Sequence, residues 1–280
     1  MSLDQAASLR TMMKRVSRHS STGVPRPHIF AVSGGHVGVG ATTIGLNLAI
    51  ALVQQGLRTV IVDADLARAD LTALCSVSPT ANIAEVLAGK RSIHEVLERG
   101  PGGIQLAAGC DSPQCRSLCT DRSIGRLLSQ IEGLGRHAEA VVIDAGSAQS
   151  DLTSRIWQAA DQVLVVTTLD AVAIMDAYTL TKSLLAAEQQ AVPLSLVVNR
   201  AGSEALASDA HLRMHRSCRR FLGIGMAHAG WIPETDHSAG GESPPSPWLL
   251  RQPPPEAAHK LEQIAARLLA AQADAGRDAA

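Results

Sequence analysis

Apolar residues along this chain fall into two alternating rhythms. Unbroken runs rich in Val, Ile, Leu and Ala occur at HIFAVSG, LRTVIVDAD, GIQLAAG, AEAVVIDAG, QVLVVTT, LSLVVNR and AHAGWI. They are strand-sized and lack polar alternation, which predicts parallel strands covered on both faces. Helical stretches separate them, the first over residues 42–55 and stopped by Gly56. Strand, helix, strand in that order is a βαβ unit. No period of about 20 to 50 residues repeats, so solenoids are excluded. The pattern predicts an α/β fold with a doubly wound, mostly parallel sheet in a single domain, residues 28–272.

The flanks read differently. Residues 3–18 predict a short helix with Leu3, Ala6, Ala7, Leu9, Met13 and Val16 on a loose apolar face. Residues 1–19 thus form an N-terminal helical unit, joined to the domain by the linker SSTGVPRP at 20–27. Residues 237–255 turn rich in Pro, Ser and Gly and predict a long surface loop. A last helix over 256–271 carries Leu261, Ile264, Leu268 and Leu269 on one side, and residues 273–280 are expected to be a disordered tail.

Composition narrows the functional classes. The 25 Lys and Arg nearly cancel the 26 Asp and Glu, so no global field draws the chain to nucleic acid or anionic lipid, and any such contact must be local. Aromatic residues are 2% of the chain, which argues against a stacking platform for single strands, and no nucleic-acid partner is expected. Apolar runs fall far short of the roughly 20 residues that cross a bilayer, and the N-terminus lacks the apolar block of a secretory signal, so the expected location is cytoplasmic. Five cysteines, three of them in GCDSPQCRSLC, are expected to be thiols. A zinc site at Cys110, Cys115 and Cys119 would need a fourth ligand and a tighter pair.

The candidate chemistry lies at the first strand-to-helix turn, Gly35-His36-Val37-Gly38-Val39-Gly40-Ala41-Thr42-Thr43. Its frame, G-x-x-x-x-G-x-T after a strand and before a helix, lets backbone N–H groups and the positive helix end cradle a phosphate. A tight βα connection with no ligand is the competing reading. Asp63 and Asp65 end the second strand and Asp144 ends AVVID. Carboxylates at the C-terminal edge of parallel strands face the crevice where ligands and Mg²⁺ sit, although a strand-end Asp also caps helices.

These segments together resemble the MinD/ParA class of P-loop ATPases. SGGHVGVGATTIGLNLAIAL followed by VDADLARADL is similar to the class's deviant phosphate loop and first switch. VVIDAGSAQSDLTSRIWQAADQVLVVTTLDAVAIMDAYTLTK resembles the second switch of its FlhG-type branch, and LVVNRA resembles the base-contacting turn. The resemblance implies ATP or ADP with Mg²⁺ as cofactor. Gly35, Gly38, Val39, Gly40, Ala41, Thr42 and Thr43 would form the phosphate cradle, with Thr42, Asp63 and Asp144 around the metal. Asp65 would orient the attacking water, and Asn199 and Arg200 would lie near adenine. It also implies a nucleotide-dependent homodimer. DQAASLR, with Asp4, Gln5, Ala6, Leu9 and Arg10, is similar to the helix by which FlhG-type regulators of flagellar number engage an FlhF-type GTPase; packing on the chain's own surface is the alternative.

Departures from the class pattern bear on chemistry. The signature Lys falls on His36, the general P-loop Lys on Ala41 and the second-switch Gly on Ala148. Arg58, Arg68 and Arg200 are the candidate replacement cations. Weak or absent hydrolysis is therefore expected, which leaves a non-catalytic binding module, with an active septum-site or partition switch as the alternative. The last helix has no aromatic residue and few cations, a poor membrane anchor. Peripheral contact with the inner membrane face is expected to be weak or absent.

Overall fold

The computed structural model describes residues 25–186, 192–235, 247–252 and 254–277. Eight strands are present among them: β1 (His28–Gly34), β2 (Thr59–Asp63), β3 (Leu97–Arg99), β4 (Gln105–Ala107), β5 (Ala140–Asp144), β6 (Gln162–Thr167), β7 (Leu194–Val198) and β8 (Ala227–Trp231). The helices are α1 (Ala41–Gln54), α2 (Leu71–Cys75), α3 (Ile83–Leu87), α4 (Pro113–Ser117), α5 (Asp121–Glu132), α6 (Asp151–Ala159), α7 (Ala171–Ala186), α8 (Glu204–Leu222) and α9 (Glu256–Arg277). The strands form one sheet in the order β3-β4-β2-β5-β1-β6-β7-β8. All pairs are parallel except β3 with β4. The doubly wound α/β reading therefore holds.

Alternate residues of each central strand enter opposite cores, as the period of two requires. Phe30 and Val32 of β1 pack with Ile44, Leu48 and Leu52 of α1 and with Leu261 and Ile264 of α9. Ile29 and Ala31 face the other layer, which α3, α5, α6, α7 and α8 supply. Trp157 of α6 is buried there, and its indole N–H donates to Ser33 Oγ at 2.8 Å. Because β2 lies to one side of β1 and β6 to the other, the sheet reverses its winding at the C-terminal end of β1. Such a switch point opens a crevice.

Four local findings differ from the sequence reading. Strand β3 is antiparallel and only three residues long, too short to register as an apolar run. Within the Pro-rich stretch, Trp248 and Leu249 are buried against α1, where the Leu249 N–H donates to Asn47 Oδ1 at 3.3 Å. Burial of two large apolar side chains outweighs the polar composition around them. The last helix continues to Arg277. Finally, Cys110 and Cys115 form a disulfide instead of two thiols. Ser112 caps α4 by accepting from the Cys115 N–H, a turn that brings the two Cα atoms to 6.2 Å, within bridging range.

The N-terminal motif, Asp4, Gln5, Ala6, Leu9 and Arg10, lies outside the described residues, as does the linker up to Val24. The linker's last residues are anchored. Arg26 donates to Asp161 Oδ1 at 2.8 Å and to the Ala159 carbonyl at 2.9 Å, so the chain leaves the domain from a fixed point at the start of β1.

Candidate functional site

Residues 35–43 wrap the end of β1 against three neighbours. Gly34 N–H donates to the Gly146 carbonyl at 3.1 Å and Gly35 N–H to the Val166 carbonyl at 3.4 Å. Gly35 lies directly on the backbone of Asp176 and Ala177 in α7, where a Cβ would collide with main-chain atoms. From β7, the Asn199 side-chain amide donates to the Val39 carbonyl at 2.8 Å. Gly40 has φ +92° and faces that amide, so both its conformation and its contact exclude a side chain. Asn199 thus acts as a strut beneath the loop, and its Oδ1 accepts from Arg200 N–H at 3.0 Å. Val39 turns its side chain into the core and contributes only backbone.

The result is a nest of donors. The first helical bond of α1 is Ile44 N–H to the Gly40 carbonyl at 2.9 Å, which leaves the N–H groups of Ala41, Thr42 and Thr43 at the open end of the helix. No acidic side chain occupies the first turn of α1, and Gly40 provides no side-chain cap. Donors of this kind, together with the helix dipole, fit an anion.

Three carboxylates stand opposite. Asp63 and Asp144 are register partners on adjacent strands, and both are completely buried. Asp63 accepts from the N–H groups of Asp65 at 3.2 Å and Leu71 at 3.3 Å. Burial foremost, and then the neighbouring Asp144, hold its carboxyl well above the usual range. Asp144 Oδ1 accepts from Gly146 N–H at 3.1 Å, while Oδ2 is buried with no hydrogen-bond partner. Burial pushes this carboxyl up to about 6, although the adjacent Thr42 hydroxyl and the Gly146 N–H pull it down. An orphaned carboxylate oxygen beside a threonine hydroxyl fits a hard divalent cation, which takes oxygen ligands and retains waters. Asp65 accepts from Ala67 N–H at 2.9 Å. It stays close to the loop because Gly146, at φ +65°, leaves room where a Cβ would strike its carboxyl.

These groups line a cavity of about 320 Å³ bounded by Gly38, Gly40, Ala41, Thr42, Thr43 and Asp65. His36, Val37, Arg68, Asp70, Gly146, Ser147 and Arg200 also line it. Of the three candidate cations, Arg68 and Arg200 therefore reach the site. Arg58 does not: it sits before β2, bonded to Glu139 and to the Arg136 carbonyl. Arg68 is steered through Nε, which donates to Asp70 Oδ2 at 2.8 Å. His36 Nδ1 lies 3.4 Å from Asp176 Oδ2 on α7, so it is engaged within its own chain. Ala148 lines a separate cavity of about 480 Å³ that shares Asp65 and is walled by Arg116, Cys119 and Leu152. Gly146 and Ser147 line the first cavity, and Ala148 lies on the second. Gly146 was findable, being a glycine two residues past a strand-end Asp; the Asp176 partner of His36 was not.

A family model described as an AAA domain matches residues 28–194. The antiactivator FleN of Pseudomonas aeruginosa is 28% identical over 205 residues, 73% of each chain. The flagellum site-determining protein YlxH of Helicobacter pylori is 29% identical over 152 residues, 54% of this chain and 52% of that one. Among solved structures, the cell-division ATPase MinD of Pyrococcus furiosus superposes with a TM-score of 0.71 at 20% identity, covering 86% of this chain and 98% of the other. MinD of Pyrococcus horikoshii, complexed with Mg-ADP, gives 0.70 at 18% identity over 86% and 96%. A ParA-family ATPase of Chlorobium tepidum gives 0.71 at 18% identity over 88% and 100%.

Proposed function

Because the chain belongs to the AAA domain family and has the MinD/ParA fold, we propose that it is an FlhG-like, nucleotide-binding regulator of flagellar number or placement that hydrolyses ATP weakly or not at all. The observation that carries nucleotide binding is the open N-terminal turn of α1, Ala41, Thr42 and Thr43, with Thr42 beside Asp144, whose Oδ2 is orphaned. Similarity to FleN and YlxH supports the flagellar role. Thr42 and Asp144 would hold Mg²⁺, with Asp63 behind them, and the ion would neutralise phosphate charge when bound. Arg68 and Arg200 supply the positive charge that Ala41 and His36 do not.

Calorimetry with ATP, ADP and GTP plus Mg²⁺ tests this reading. ATP and ADP are expected to bind, and Arg68→Ala is expected to weaken ATP by about tenfold and ADP less, since a charge-assisted hydrogen bond contributes about 1.5 to 3 kcal/mol. Absence of binding by any nucleotide at millimolar concentration would defeat the proposal.

Two protein partners belong to the same proposal. Val37, Val172 and Met175 are large, apolar and exposed beside the nest, a surface suited to a second copy across the nucleotide edge. The segment bearing Asp4, Gln5, Ala6, Leu9 and Arg10 engages an FlhF-type GTPase. A peptide of residues 1–19 is expected to bind such a GTPase with about micromolar affinity, because ordering a short helix costs free energy, and to raise its GTP turnover. Stimulation that survives replacement of both Gln5 and Leu9 by Ala would remove the motif from the account.

A further inference from the structure

Residues 108–120, between β4 and α5, touch the edge of the site at two points. Gly109 stands against the Asp63 carboxyl, where a Cβ would lie 2.6 Å from the carboxyl carbon. Arg116 of α4 donates through Nε to the Leu66 carbonyl at 3.3 Å. Leu66 belongs to the segment 64–70, between β2 and α2, from which Asp65, Arg68 and Asp70 line the first cavity. The two segments also wall the second cavity, of about 480 Å³, with Leu66 and Ala67 on one part and Arg116 and Cys119 on another. That space leaves them room to part. Helix α4 has five residues, too few to be stable alone, and it is fixed by the Ser112 cap and the Cys110–Cys115 bridge. The bridge spans five positions, and so short a loop constrains the unfolded chain least. A fold with extensive apolar cores on both faces of its sheet does not depend on such a staple. In a reducing compartment, where the chain is expected, disulfides that form are transient or redox-sensing.

We propose that the Cys110–Cys115 bridge is a reversible thiol–disulfide switch that controls the segment 64–70 and, through it, Mg-nucleotide affinity. The two sulfurs are unequal, since Cys110 is half-buried and Cys115 is buried. A thiolate of a low-molecular-weight dithiol attacks the accessible Cys110 sulfur, forming a mixed disulfide there, while the S–S electron pair leaves on Cys115. Ser112 Oγ, 3.4 Å from both sulfurs, is placed to donate to that departing thiolate before water protonates it. The second thiolate of the reductant then attacks its own sulfur in the mixed disulfide, freeing Cys110 and leaving the reductant as a cyclic disulfide. Two electrons pass to the protein, and a small-molecule disulfide closes the bridge by the reverse steps. With the bridge open, α4 keeps only its Ser112 cap and the Arg116–Leu66 bond loosens. Asp65 and Arg68 then lose their fixed positions. The effect on nucleotide rests on the binding proposed above; the release of the segment does not.

The test compares the full-length protein oxidised with diamide and reduced with dithiothreitol. Peptide mapping under non-reducing conditions is expected to find Cys110 linked to Cys115 in the first sample and five thiols in the second. Brief trypsin digestion without nucleotide is expected to cut after Arg68 and Arg116 about tenfold faster in the reduced protein, because cleavage follows local opening. Calorimetry is expected to show Mg-ATP binding about tenfold weaker on reduction, the effect of one charge-assisted contact. Cys110→Ser and Cys115→Ala are each expected to behave as the reduced protein under both conditions, and Cys119→Ser to respond as wild type does. Four results would overturn the proposal: no link between Cys110 and Cys115 after diamide, equal cleavage of the two forms at both arginines, equal Mg-ATP affinity in two forms that both bind it, or a response lost in Cys119→Ser. Cleavage that differs while neither form binds Mg-ATP would remove the nucleotide reading and leave the redox control of the segment established.

Discussion

Steady-state ATP hydrolysis by the purified protein is expected to lie at least about 10³-fold below that of lysine-bearing relatives, because positive charge offered to a transferring phosphoryl group is typically worth about 10³ to 10⁵ in rate. Ala41 offers none. His36 lies 3.4 Å from Asp176, and Arg68, bonded through Nε to Asp70 at 2.8 Å, stands on the cavity wall and not in the loop, so neither takes the place of the missing lysines. Ala41→Lys returns an ammonium to the first turn of α1 and is expected to strengthen ATP binding by roughly ten- to a hundredfold. Turnover is not expected to return with it, since the second cationic position stays with His36. Phosphate release measured for wild type, Ala41→Lys and Asp65→Ala distinguishes the cases. Rapid wild-type turnover that Asp65→Ala abolishes would show that Arg68 and Arg200 have replaced both lysines, and would restore the active-switch reading.

What was legible in the sequence was whatever local pattern determines. Uninterrupted Val/Ile runs ended by Asp63 and Asp144 read as buried parallel strands with carboxylates at their ends, while the register that pairs the two is a tertiary finding. Gly35 and Gly40 were legible as loop glycines. Their reasons are tertiary, since the one lies against α7 and the other against Asn199. The sequence pattern missed features that depend on distant partners: the three-residue β3 at the sheet edge, the burial of Trp248 and Leu249 among prolines, the Cys110–Cys115 bridge and the His36–Asp176 contact. Nor does spacing from Asp144 reveal the left-handed turn at Gly146 that makes room for Asp65.

Replacing Asp144 by Asn is expected to stabilise the nucleotide-free protein at neutral pH while abolishing its binding of Mg-nucleotide. Asp144 is completely buried, one oxygen has no partner, and Asp63 is its register neighbour across the strand pair. Burial raises its carboxyl from an ordinary 3.8 to about 6 in the folded state. A group raised in this way favours the fold fully below the unfolded value, and that contribution is lost as pH climbs through about 6. Above that pH the folded chain carries a buried negative charge without a counter-ion. With each pKa unit corresponding to about 1.4 kcal/mol, the burden at pH 7.5 is on the order of 1 to 3 kcal/mol. The amide has no charge to bury, so Asp144→Asn should melt several degrees higher than wild type at pH 7.5 and close to wild type near pH 4, at about 2 to 4 °C per kcal/mol for a domain of this size. Adding Mg-ATP should reverse the order at pH 7.5, raising the wild-type midpoint and leaving the variant unmoved, because only a carboxylate offers the ion a charged oxygen ligand. Calorimetric melts of both proteins at the two pH values, with and without Mg-ATP, give the four comparisons. A variant that melts lower than wild type at pH 7.5 without ligand would mean that Asp144 is retained as a structural acceptor, and that its unpartnered oxygen is no mark of a metal site.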